Sequence, residues 1–233
     1  MNNSINKAMS IAHKAQIDQY GTPISQNQFD DLRNYANLNG VRLSGFRNYV
    51  GDTGVIKLVI DDISEIARDF PRILDEKCGI VLELDYDMED DDFATTDSGH
   101  VIHINAALYS NIDVLSKSYS EGVRNGYFVQ NTDWRSIIRH EVGHVVDSLY
   151  SFDLFDIVSG IVGTTHNTET LSRLRLNLST YSASYRDGRE IISECFSGYY
   201  SNAGNVIADA FIKRCIELLE TKDKREGDFH EKI

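Results

Sequence analysis

The chain contains no apolar run approaching the ~20 residues that a membrane-spanning helix needs. Its first residues, Met1-Asn2-Asn3-Ser4-Ile5-Asn6-Lys7, carry no signal-peptide core. Three cysteines, Cys78, Cys195 and Cys215, are too few and odd in number for a disulfide framework. Cys195 and Cys215 read as helix core residues. These absences point to a reducing compartment, so the chain is expected to be cytoplasmic or delivered by a route without a cleaved signal. Basic residues are scarce, 23 Lys and Arg against 36 Asp and Glu, for a net charge of −13. A nucleic acid or an anionic membrane needs a basic face, so neither is expected as a partner. Internal repeats and low-complexity segments are lacking too.

What is present is ordinary for a globular protein: 41% hydrophobic and 25% charged residues over 233 positions, enough for one substantial core or two small ones. Residues 1–21 are polar with weak helical periodicity. Thr22-Pro23 reads as an N-cap with proline at the first helical position, predicting a helix to Leu38 that Asn39-Gly40 ends. Residues 41–52 hold turn signals. Val55-Ile56-Lys57-Leu58-Val59-Ile60 reads as a strand, and Asp61-Asp62 as the cap of a helix running to Cys78, kinked by Pro71. Ile80–Leu84 and Gly99–Asn105 read as strands, with a helix from Asn105 to Tyr119 and a loop over Gly122–Gly126. The segment 151–163 is a short helix or a flap, and Leu171, Leu174, Leu176 and Leu178 fit a helix or a strand. Residues 203–220 form an amphipathic helix, and 221–233 a charged, frayed tail. A domain division follows: an N-terminal helical segment over 1–50, a main unit over 51–220 and the tail.

Asp85-Tyr86-Asp87-Met88-Glu89-Asp90-Asp91-Asp92 invites a calcium-loop reading. Asp90 stands where an EF-hand needs glycine and Thr96 where it needs glutamate, so a solvated acidic loop is the better reading. It could also attract basic substrates.

The chemistry concentrates in Arg139-His140-Glu141-Val142-Gly143-His144, an HExxH. On a helix, positions i and i+4 share a face, so His140 and His144 can point two imidazoles at one zinc ion. Glu141 stands beside them as a candidate general base. Asn131-Thr132-Asp133 offers an N-cap, and apolar residues from Trp134 to Leu149 predict a helix that is buried over most of its surface. HExxH also occurs by chance, so a second motif is needed. Arg189-Glu190-Ile191-Ile192-Ser193-Glu194-Cys195-Phe196 supplies it, with Glu190 and Glu194 again i and i+4 on one face. A catalytic zinc takes three protein ligands and keeps one position open, and two histidines with a glutamate are a standard set. On spacing alone, either glutamate can be the third ligand.

HEVGHVVD, followed by a Tyr-rich segment and a helix of the form E-x-x-x-E-x-F, resembles the catalytic domain of anthrax lethal factor. Related bacterial and phage-encoded metallopeptidases, including the Pro-Pro endopeptidases, show the same pattern. The resemblance covers about residues 95–205. It implies an α+β fold of zincin-like type, with a small mixed sheet over the HExxH helix and a mostly helical C-terminal half. It implies that the strand before that helix, 99–105, lies at the cleft edge and pairs with substrate. It makes Glu190 the third ligand, Glu194 a supporting residue, and a tyrosine, Tyr181, the oxyanion donor. Tyr181 stands somewhat further from Glu190 than is usual in the family, so Tyr185 is a rival.

The expected activity is that of a zinc endopeptidase acting on protein or peptide, in a secreted or phage-associated effector or elsewhere. Zn2+ held by His140, His144 and Glu190 would make a water acidic, and Glu141 would take its proton. Asp147 and Glu194 are candidates to hold the ligating imidazoles, with surface salt bridges as their other reading. His103 carries no role. The alternative function is a non-catalytic, zinc-stabilised interaction domain.

Overall fold

The computed structural model describes residues 21–75, 77, 79–89, 91–98, 100–150, 157, 160–161, 173, 177–183 and 189–230. The readings made for residues 1–20, for Cys78, for Tyr185 and for most of 151–176 lie outside the described residues.

Ser25, rather than Thr22, caps the first helix, α1 (Gln26–Leu38). Its side chain accepts from Gln28 N while the Gln28 side chain reaches back to the Ser25 backbone, a reciprocal capping box. Asn39 and Gly40, at φ +71°, close it. The following stretch, read as turns, holds a short strand, β1 (Arg42–Ser44), and a 3₁₀ turn over Phe46–Asn48.

Val55–Ile60 is not a strand. It lies inside α2 (Thr53–Ala67), which Asp52 caps by accepting from Gly54 N. The buried positions Val55, Ile56, Val59, Ile60, Ile63 and Ile66 follow the helical period. A short apolar run cannot distinguish a buried strand from a buried helix, and here packing overrides β-branched propensity. The helix also ends at Ala67 instead of running to Cys78, and a 3₁₀ turn over Pro71–Leu74 takes its place.

Three further strands follow: β2 (Val81–Asp85), β3 (Ala94–Thr96) and β4 (Val101–Asn105). The sheet order is β1-β2-β4-β3. β1, β2 and β4 run parallel, and β3 runs antiparallel to β4. Strand 99–105, expected at the edge, is therefore interior, and β3 takes the edge. A three-residue strand beside an acidic loop has too little pattern to be seen in sequence.

Asn105 ends β4 and caps α3 (Ala106–Tyr109). Its side chain accepts from Ala107 N and Leu108 N, while its amide nitrogen donates to the carbonyls of Glu89 and Asp92 and ties down the acidic loop. The helix expected over 105–119 breaks at Asn111, whose side chain caps α4 (Ile112–Arg124). Gly122, expected in a loop, lies within α4.

The remaining described helices are α5 (Ser136–Leu149), α6 (Arg189–Tyr200) and α7 (Val206–His230). The segment after Thr221 continues the helix to His230 rather than fraying. α6 packs on α5 and α7 on α6. The class is α+β, with one small mixed sheet. Leu32, Phe46 and Tyr49 belong to the same core cluster as Ile138 and Val142 of α5 and Phe196 of α6. Among the described residues, no helix is long and apolar enough to cross a membrane.

Candidate functional site

The N-cap position of α5 is Arg135, without a side-chain cap, rather than one of Asn131-Thr132-Asp133, which precede it. Asp133 accepts from Arg135 N through its side chain and from Ser136 N through its carbonyl. One face of the helix is then fastened to α2 by a fully buried carboxylate. Asp62 accepts from Arg135 Nε at 2.9 Å and Nη2 at 2.7 Å, and from Arg139 Nε at 3.1 Å and Nη2 at 2.7 Å. Arg139 also donates to Ser201 Oγ at 2.9 Å, just beyond α6. Asp62 is thus an anchor in mid-helix and not the helix cap it resembles in sequence. A charged residue set among α2 core positions is the signal that could have revealed it.

The opposite side of α5 approaches α6 very closely, and Gly143 is the reason. A Cβ at this position would lie 2.8 Å from Ser193 Cα and 3.2 Å from Phe196 Cβ. Lacking one, the helices close until both glutamates of α6 reach His140. His140 Nε2 lies 3.0 Å from Glu190 Oε2, and His140 Nδ1 lies 3.0 Å from Glu194 Oε1. His144 Nε2 lies 3.7 Å from the same Glu190 oxygen. Ligand atoms of His140, His144 and Glu190 all fall within 4.8 Å of one another, the only such group of three among the described residues.

Glu190 and Glu194 therefore do different things. Glu190 shares the Nε2 side with both imidazoles, where one ion could be held. Glu194, 1% exposed, grips the far nitrogen of His140, and its Oε2 has no hydrogen-bond partner among the described residues. Burial opposes charge on His140, but hydrogen bonds to Glu190 and Glu194, with Glu141 nearby, outweigh it and lift the pKa to about 10. Burial likewise acts to raise the Glu190 pKa, yet His140 and His144 pull it down to about 2.

Glu141 is held from the sheet. Thr96 Oγ1, on edge strand β3, donates to Glu141 Oε2 at 2.7 Å and lies 3.2 Å from the Glu141 carbonyl. Nothing in the sequence singles out Thr96. Tyr181 starts a 3₁₀ turn, and its ring centroid lies 5.6 Å from that of His140. Backbone hydrogen bonds from Thr180 N to Gly126 O and from Tyr181 N to Tyr127 O place it there.

Two cavities, of about 210 and 650 Å³, meet at Ala94, His140, Glu141 and Tyr181. β3 and Asp147 line the larger one. His103 does not line either cavity; it sits on the sheet with Nδ1 3.3 Å from Glu83 Oε1 and Nε2 3.7 Å from Asp97 Oδ2. Compared with protein-family models, curated proteins and solved structures, the chain matches none.

Proposed function

We propose that the protein is a zinc-dependent endopeptidase of zincin-like fold, with His140, His144 and Glu190 as the ligands. The observation that carries the reading is the convergence of these three donors beside Glu141, at the meeting point of the two cavities. The donor set fits zinc, which takes imidazole nitrogen and carboxylate oxygen and leaves a position open in catalytic sites. The Glu194 contact to His140 Nδ1 supplies the outer support that a ligating imidazole needs. A zinc ion held there would supply Lewis acidity, polarising a carbonyl and making water acidic near neutral pH.

The chain's own residues then divide the work. An extended peptide adds to β3, the edge strand that lines the cleft, through main-chain hydrogen bonds. Glu141 accepts, at a carboxylate oxygen, the proton of the water attacking the scissile carbonyl, and returns it to the leaving amine nitrogen. Thr96 holds that carboxylate in one orientation. The Tyr181 hydroxyl donates to the developing oxyanion.

Elemental analysis together with proteomic cleavage-site profiling tests this, wild type against Glu141→Gln. One equivalent of zinc in both proteins, with cleavage by wild type alone, is the expected result. Absence of stoichiometric metal sinks the proposal. Zinc without cleavage in either protein would instead favour an interaction domain.

A further inference from the structure

Resting on the peptidase reading, we propose that the 210 Å³ cavity beside Glu141 receives a lysine or arginine side chain of the substrate. Four carboxylates line it, those of Asp91, Asp92, Glu141 and Glu194, against a single basic group, His140, which Glu194 already holds; no lysine or arginine lines it among the described residues. Its walls are aromatic. Tyr119 and Phe128 stack at 4.6 Å and 9°, and Phe93 stands edge-on to both, at 6.2 and 6.0 Å. Ring faces next to carboxylates favour a cation with an apolar stem, since the ring quadrupole and the fixed charges attract the same ligand.

The lining residue Glu194 decides between a cationic and a merely aromatic occupant. It is 1% exposed, and its Oε2 finds no hydrogen-bond partner among the described residues. An apolar side chain filling the cavity would desolvate these carboxylates further and return nothing. A guanidinium or ammonium group would compensate them. An acidic side chain would be repelled. Because the cavity joins the main cleft at Glu141 and Tyr181, its occupant belongs to a substrate residue close to the scissile bond.

The pocket can be tested without turnover. Binding of n-butylguanidine, n-butylurea and benzyl alcohol to the wild-type protein is measured by calorimetry and saturation-transfer NMR. The guanidinium probe should bind at least about tenfold more tightly than its neutral isostere. The double variant Asp91→Asn/Asp92→Asn, at two exposed positions, should weaken it by about fivefold and leave metal content unchanged. Phe128→Leu should weaken it as well. In the cleavage profile, Lys and Arg should be enriched at one fixed position near the cut. Equal or tighter binding of butylurea or benzyl alcohol, no binding of any probe, or an apolar preference at that position overturns the pocket assignment. Selective guanidinium binding by a protein that cleaves nothing would uphold the pocket and sink the peptidase reading.

Discussion

Two buried charged clusters meet α5 from different sides, one from α2 and one from α6, and they are built in opposite ways. Around Asp62, one carboxylate meets two guanidinium groups through four hydrogen bonds. Around His140, three carboxylates, Glu141, Glu190 and Glu194, face two imidazoles, and one carboxylate oxygen has no partner among the described residues. The Asp62 cluster is closed by protein groups. The His140 cluster draws positive charge, which a proton on His140 can supply and which a divalent ion could supply instead. Buried charge is costly unless it is paired, so the fully paired cluster reads as structural and the underpaired one as functional.

Removing the anchor should have the largest effect. Asp62→Ala leaves two guanidinium groups facing each other without the carboxylate they share, and should cost about 3–5 kcal/mol in urea unfolding. If stability changes by less than about 1 kcal/mol, the structural half of the contrast fails. Gly143→Ala comes next. Its Cβ would fall 2.8 Å from Ser193 Cα, so over-packing should cost about 1–3 kcal/mol. It should also spread α5 from α6 and weaken zinc binding, measured by competition with a chromogenic chelator.

The two glutamates of α6 sharpen the contrast within the second cluster. Glu190→Ala should abolish stoichiometric zinc. Glu194→Gln should keep the metal with affinity reduced by about 10–100-fold, as loss of an outer partner does. If Glu194→Ala loses the metal and Glu190→Ala retains it, the ligand assignment is reversed. The smallest effect is expected at Thr96. Thr96→Val keeps the shape and removes one hydrogen bond, so kcat should fall about three- to tenfold with KM and zinc content unchanged. Thr96→Ser should restore it.

Legibility from sequence followed the range of the interaction. His140 and His144 are four apart on one helix, as are Glu190 and Glu194, so each pair could be read without a fold. Which glutamate meets the ligand face depends on how α6 is rotated against α5, and no local pattern carries that rotation. Asp62 resembles a helix start because Asp61-Asp62 follows Val55–Ile60, six residues of which only Lys57 is polar. Only the continuation of the helical period through Ile63 and Ile66, and the arrival of Arg135 and Arg139 from more than 70 residues away, made it an anchor. The resemblance implies an edge position for 99–105, whereas the sheet edge is β3, which at three residues is too short to show alternation.

By itself the sequence determined the chemical inventory, meaning an HExxH, a paired-glutamate helix, an acidic balance and only three cysteines. Those properties depend on composition and on spacing within single helices. Tertiary structure alone decided which glutamate faces both imidazoles, that Thr96 holds Glu141, and that a cavity with carboxylates and aromatic walls opens beside it. Each of these depends on side chains from different elements meeting within a few ångströms, which burial and the close approach allowed by Gly143 bring about.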